Sequence, residues 1–359
     1  MLLTDSIKYF LDNNIPFVSY RLPSYNQPIT QIGGSFSTKA QDSPKIENQF
    51  ILAPFDKDNF AVQYYHPEKE ISGWEFKFEV NTTKYKIDSQ MNMVEKPIIT
   101  DYVSYINQAE LLISAMQKHE LEKVVLSKIK EYSLKENTHF GKIFEKACQK
   151  YPKAFVYLLN DGHGQFWMGA TPELLLNISS GNGSTMALAG TQPIENQLLY
   201  RLQWGEKEMK EHAFVAQYIK DTLQKQFVSN LQISPRTTIQ AGQMAHLQTN
   251  FSFRLNAKSD ALQIANALHP TPAVCGLPKE KVFQTITSTE KHLRSFYTGF
   301  LGTFTEKSDC SLFVNLRCMQ IIDNKAYIYV GGGLTSQSDP QNEWDETELK
   351  AGTMLSLFE

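Results

Sequence analysis

The sequence predicts a mixed, largely antiparallel α+β domain. Three observations carry that expectation. Strand-like apolar runs alternate with amphipathic helical segments, but without the regular strand–helix–strand rhythm of a doubly wound sheet. No linker-like stretch divides the 359 residues, so they are taken as one unit, although a typical domain of roughly 150 residues would allow two or three. Hydrophobic residues at 42% and charged residues at 20% are the ordinary balance of a globular chain long enough to bury a large core.

Residues 1–100 mix short apolar runs (50–53, 60–62) with turn-like NQP, GG and SPK clusters, which predicts strands and loops. Over 101–120 the apolar residues Val103, Ile106, Ala109, Leu111, Leu112 and Met116 fall at helical spacing, and 123–127 follows as a strand. A helix over 141–149 precedes strands at 154–159 and 165–169. Pro172 then opens a stretch over 173–178, and 185–189 is a further strand. The amphipathic run 206–224 predicts a long helix, with a shorter one at 262–268. Residues 312–316 and 326–330 are expected to pair as strands, with Gly331-Gly332-Gly333 ending the second, and 343–357 reads as the last helix.

The charge balance narrows the function classes. Thirty-five Lys+Arg against 38 Asp+Glu leaves −3, so no overall field draws in nucleic acid or an anionic membrane. Cys148, Cys275, Cys310 and Cys318 form no CxxC pair and have no histidine at zinc-ligand spacing, which points to a reducing compartment. Asp5 and Lys8 interrupt the apolar core that a signal peptide requires. No run reaches the roughly 18 apolar residues of a membrane span. A cytoplasmic location is expected.

Several residues carry candidate chemistry. Glu208 and Glu211, and again Glu343 and Glu346, are i, i+3 pairs that share one helical face. If the two helices converge, they build an oxygen-rich site suited to Mg²⁺; otherwise they are two solvated acidic faces. Lys123, at the mouth of an apolar strand, is either a partly desolvated general base or a snorkelling surface lysine. Glu173, after Thr171-Pro172 and before three leucines, is either the first-turn acid of a helical turn or a carboxyl whose pKa is raised by its apolar setting. Gly162-His163-Gly164 and Gly181-Asn182-Gly183 read as hairpin turns, and no phosphate-binding or dinucleotide-binding glycine motif is present. His246 reads as a core or hairpin histidine. Arg317, in an apolar strand, needs an anionic partner if buried, supplied by the protein or by a ligand.

Taken in order, the blocks EKVVLSK (122–128), MGATPELLL (168–176), LAGTQ (188–192), EKEMKEH (206–212), HLQTNFSF (246–253), LHPTPAVCGLPK (268–279), VNLRCMQI (314–321) and VGGGLTSQSDPQNEWDETELKAGTM (330–354) resemble the chorismate-utilising enzymes. That family includes isochorismate synthases, salicylate synthases, the large subunit of anthranilate synthase and aminodeoxychorismate synthase. The resemblance covers residues 122–354 and implies a large sandwich of two antiparallel sheets with helices outside. Residues 1–100 would complete the sandwich, and 101–359 would form the motif-bearing catalytic region.

Within the family, ammonia-using members carry Gln at the position of Lys123, and the aminodeoxychorismate branch carries a nucleophilic Lys at the position of Ala189. Both positions therefore favour isochorismate-type chemistry, a Mg²⁺-dependent, reversible isomerisation of chorismate that feeds menaquinone or siderophore formation. Salicylate synthase, which goes on to eliminate pyruvate, is the alternative. An anthranilate-synthase-like subunit would need a glutaminase partner, which is not expected here, and a silent binding protein has no need for an acid–base pair. The resemblance implies Lys123 as general base, Glu173 as general acid, and Glu211 and Glu346 as metal ligands backed by Glu343 and Glu208. It places Gly190, Thr191, His246, Ala273, Arg317, Gly331 and Lys350 around the substrate. Lys128, Thr171 and Ser336 depart from the family's usual arginine, serine and proline.

Overall fold

The computed structural model describes residues 2–40, 48–75, 94–194, 199–226, 228–241, 244–256, 259–305 and 309–359. In chain order the strands begin with β1 (Phe17–Arg21), β2 (Ile29–Ile32), β3 (Ser35–Ser37), β4 (Gln49–Ala53), β5 (Gln63–His66) and β6 (Lys69–Ser72). The middle of the chain adds β7 (Lys123–Ser133), β8 (Phe155–Asn160), β9 (Phe166–Thr171), β10 (Leu174–Ser179), β11 (Asn182–Pro193), β12 (Val228–Ile233), β13 (Thr237–Ala241) and β14 (Met244–Leu255). The last are β15 (Gly276–Leu277), β16 (Phe300–Phe304), β17 (Cys310–Val314), β18 (Cys318–Ile322) and β19 (Lys325–Leu334). The helices are α1 (Leu3–Asp12), α2 (Tyr102–Gln117), α3 (Phe140–Lys150), α4 (Glu206–Lys225), α5 (Ala261–Leu268), α6 (Lys279–Thr289) and α7 (Pro340–Leu355).

One sheet runs β15-β7-β19-β18-β9-β8-β1-β2-β6 and the other β12-β14-β11-β10-β17-β16-β4-β5-β3, with β13 added on β14. Every pairing between described strands is antiparallel. The expected α+β sandwich is what the chain forms.

The two-residue period of a strand explains why its central members are apolar on both faces. In β8, Phe155, Tyr157 and Leu159 point into the layer between the sheets, while Val156 and Leu158 point out to α1 and α3. In β19, Tyr327 and Tyr329 point in, and Ile328 and Val330 point out. Phe155 stacks on Phe313 of the opposite sheet at 4.4 Å between ring centroids. The outer face of the second sheet is covered by α4 and α5 through Val215, Ile219, Leu223, Ile264 and Leu268. Helices α2 and α6 close the β7 end.

Helix α7 is placed with particular care. Asp339 caps it by accepting from the Asn342 N–H, and Pro340 presets its first turn. Lys128 and Lys130 of β7 both pair with its Glu348, and Lys128 lies over the Trp344 ring. These contacts fix the rotation of the helix, so that Glu346 and Lys350 face the sheets. No described helix is long and apolar enough to cross a membrane.

Five local expectations are corrected. Residues 312–316 do not pair with 326–330: β17 lies between β10 and β16 in one sheet, and β19 pairs with β18 and β7 in the other. Gly331–Gly333 does not end its strand, which continues to Leu334 against Val124. Arg317 is not in a strand; it sits between β17 and β18 with φ +48. Glu173 leads directly into strand β10 and not into a helical turn, because Val314 of β17 donates its N–H to the Glu173 carbonyl and extends the ladder. Residues 1–100 also contain a helix, α1, whose signal is Leu3, Ile7 and Phe10 at helical spacing.

Candidate active site

A cleft with about 730 Å³ of empty space, partly open to solvent, lies where β7, β10, β11, β14 and β19 meet α4 and α7. Its walls include Glu173, Thr191, Glu211, His246, Ala273, Arg317, Gly331, Glu346 and Lys350. Tyr297, Thr298 and Tyr329 also line it, and nothing in their sequence spacing marks them as site residues.

Three carboxylates approach from α4 and α7, and each meets a lysine. Glu211 Oε1 lies 2.9 Å from Lys123 Nζ, Glu346 Oε1 lies 2.6 Å from Lys350 Nζ, and Glu343 pairs with Lys207 while accepting from the Ser338 hydroxyl. Glu211 and Glu346 face the cleft. Glu343 does not; it is buried behind Gly332, and its Oε2 has no hydrogen-bond partner among the described residues. Glu208 is also off the wall, with its backbone against Gly190.

The glycine run is what lets these groups approach. A Cβ at Gly333 would come within 2.7 Å of Glu211 Oε1, and one at Gly332 within 3.0 Å of Glu343 Oε2. The run is thus not a turn, but a stretch of strand bare on both faces. Gly190 has a different role. At φ +74 it sits in a bulge between Ala189 and Thr191, and a Cβ there would lie 2.9 Å from the Glu208 carbonyl.

With Glu208 and Glu343, Lys123 and Gly190 are the expected residues that the cleft wall does not include. Lys123 is fully buried one layer back, with Glu211 between its amine and the cleft. Burial alone would oppose ionisation of Glu211, but Lys123, Lys350 and Lys207 together hold its carboxyl below the usual range.

Glu173 is the opposite case. Its backbone is pinned by Thr171, whose hydroxyl donates to the Val314 carbonyl at 2.6 Å and accepts from the Glu173 N–H at 3.3 Å. The side chain is 3% exposed, and no cation lies within ion-pair distance among the described residues. Burial pushes its pKa up to about 8, against the pull of the Lys123 charge. At neutral pH this carboxyl holds its proton.

His246, on β14, meets the Thr191 hydroxyl through Nδ1 at 3.0 Å. Burial, with Arg317 and Lys350 nearby, lowers its pKa to about 3, so the ring is neutral. Arg317 donates to the Lys350 carbonyl at 3.2 Å. No carboxylate lies within ion-pair distance of it among the described residues, so the partner its burial calls for is not supplied by them. Lys350 Nζ also donates to the Gly331 carbonyl at 2.8 Å.

The donor set suits a hard divalent cation. Among the described residues, no three His, Cys, Asp or Glu side chains converge into a ready cage. Magnesium, however, keeps several waters and needs only one or two carboxylates, which Glu211 and Glu346 offer at the wall. Burial and the Glu346 charge raise the Glu343 carboxyl against the pull of Lys207, and its orphaned oxygen marks a surplus of acceptors that a cation's water shell can satisfy.

Comparison with known proteins gives a consistent result. The family model described as chorismate binding enzyme matches residues 61–359, starting well before the motif blocks. The isochorismate synthase EntC of Escherichia coli strain K12 is 28% identical over 322 residues, covering 87% of this chain and 82% of that protein. The putative 2,3-dihydroxybenzoate-specific isochorismate synthase DhbC of Bacillus anthracis superposes with a TM-score of 0.81 at 22% identity, over 99% of both chains. The menaquinone-specific isochorismate synthase MenF of Escherichia coli gives 0.80 at 20% identity, over 96% of this chain and 89% of its own.

Proposed function

The chain belongs to the chorismate-binding enzymes, and from that membership we propose that it is an isochorismate synthase, an isomerase that converts chorismate reversibly to isochorismate. The observation that carries the proposal is the pairing of Glu173, a buried carboxyl protonated at neutral pH, with a buried lysine on the far side of Glu211 at the same cleft.

Arg317 and Lys350 bind the two carboxylates of the substrate, with His246 and Thr191 as neutral hydrogen-bonding groups beside them. Rotation of the Glu211 carboxylate off Lys123 opens the amine to the cleft. The Lys123 ammonium first gives up its proton to solvent through the cleft, and the neutral amine then takes a proton from a water molecule as that water's oxygen bonds to C2 of the ring. The ring double bonds shift, the C4–O bond breaks, and Glu173 gives its proton to the departing hydroxyl, which leaves as water. Glu211 and Glu346, with Glu343 and Glu208 behind them, would hold a magnesium ion, which would supply stabilisation of the negative charge that develops in the transition state. The enzyme is cytoplasmic, acts without a glutaminase, nucleic acid or membrane, and feeds menaquinone or siderophore formation.

Product analysis tests this. Purified protein with chorismate and Mg²⁺, without ammonia, is expected to give a reversible mixture of chorismate and isochorismate and no pyruvate. Salicylate with pyruvate would move the chain to the lyase branch, and unchanged chorismate would sink the activity. The metal assignment has its own readout. Glu346→Gln is expected to weaken Mn²⁺ binding at least about tenfold, followed by electron paramagnetic resonance of free Mn²⁺; unchanged affinity would remove Glu346 from the ligand set.

A further inference from the structure

The cleft walls come from segments far apart in sequence, and one buried side chain joins three of them from behind. Arg294 is 4% exposed and uses all five of its N–H donors. Nε and Nη2 donate to the two oxygens of Glu290 at 2.8 and 2.6 Å. Nη2 also donates to the Val125 carbonyl at 2.6 Å, and Nη1 to the Val274 carbonyl at 2.8 Å and the Thr298 hydroxyl at 3.3 Å. Val125, Val274 and Thr298 all line the cleft, whereas Arg294 does not.

Glu290 grips the same strand a second time, accepting from the Ser127 N–H at 2.7 Å and its hydroxyl at 2.9 Å. Val125 and Ser127 follow Lys123 on β7 at two-residue steps, so the pair holds the lysine-bearing strand at two points. Thr298 passes the constraint on, since its N–H donates to the Asn315 carbonyl two residues before Arg317. Burying an ion pair is costly, and apolar residues would often stabilise a core better. What the pair does hold, through these contacts, is the relative placement of three cleft segments.

We propose that Arg294, anchored by Glu290, is a positioning residue for the reaction: it sets the spacing between the Lys123 strand, the Ala273–Val274 wall and the Thr298 turn. The assignment rests on the reading of this cleft as the chorismate site. Lysine cannot replace it, because a single ammonium cannot span two carbonyls, a hydroxyl and both carboxylate oxygens.

Arg294→Lys tests it, because the charge balance with Glu290 is kept. Arg21→Lys is the control. Arg21 is equally buried and also binds backbone carbonyls, those of Leu22, Cys148, Tyr151 and Pro152, but away from the cleft walls. Both variants are expected to melt at lower temperature. Only Arg294→Lys is expected to lose kcat, by about 10- to 100-fold, as misplaced catalytic groups do, with Mn²⁺ affinity unchanged. A folded Arg294→Lys that matches Arg21→Lys, less stable but with wild-type kcat and KM, would reduce Arg294 to a structural residue. Should Arg294→Lys fail to fold, Glu290→Gln, which weakens the anchor and leaves the guanidinium in place, is judged by the same criterion. Wild-type protein that leaves chorismate unchanged overturns the cleft reading and this assignment together; active wild type with an equally active variant overturns the assignment alone.

Discussion

Replacing Lys123 by glutamine is expected to lower isochorismate formation by about 100- to 10,000-fold, the contribution of a well-placed general base. Glutamine is the informative substitution because the lysine also has a charge role: it is one of the cations that keep Glu211 ionised. Alanine would leave that carboxylate facing a buried gap, and any loss of activity could then be traced to the metal site. Glutamine keeps a polar, uncharged group on the side of Glu211 that the Lys123 amine now faces at 2.9 Å. The two roles separate in the measurement. Turnover is followed with chorismate, and the cation site with Mn²⁺. Loss of turnover with Mn²⁺ binding retained identifies the amine as the base, whereas near-wild-type turnover in the folded variant would rule that out.

Glu173→Gln is expected to remove activity on a similar scale, about 100- to 10,000-fold, and at the same time to stabilise the protein. The second effect follows from linkage. In the folded chain the carboxyl keeps its proton up to about pH 8, whereas in the unfolded chain it ionises near 4.5. The unfolded state is therefore stabilised relative to the fold as pH rises through that window. The cost to the fold is absent below pH 4.5, grows up to pH 8 and levels off above it. At pH 7 it is on the order of 3 kcal/mol, and glutamine, which does not titrate, escapes it. Thermal unfolding of the two proteins should diverge at pH 7 and converge near pH 4.5. Wild-type turnover should also fall as pH rises past about 8, where the acid loses its proton. A glutamine variant that is no more stable at pH 7 than wild type would mean that Glu173 is not held neutral.

Much of the secondary structure was legible because its signals are local. Helix α4 shows its apolar residues at helical spacing, and α2 and α7 begin on aspartates that cap them. The strands around Phe155 and Trp167 are apolar and bounded by turn residues. What misled was pairing. The segment 312–316 is apolar on both faces, and local pattern does not say which of two sheets will take it. The Gly331–Gly333 run shows the same limit: three glycines mark a turn unless something outside the segment needs the room they leave, and here two glutamates from other elements do.

By itself, the sequence determined the α+β class, the family and the chemical character of the site, because residue type, spacing and motif order can all be read along the chain. Only the tertiary structure decided which groups share a cleft and in what state. It turns Glu211 and Glu346 to the wall and Glu343 behind it, interposes Glu211 before Lys123, and leaves Glu173 protonated at neutral pH while Glu211 is ionised. Two glutamates of the same intrinsic acidity end on opposite sides of neutrality because one is buried without an ion-pair partner and the other beside three lysines. Burial and proximity of that kind arise from how two sheets and two helices close over one another.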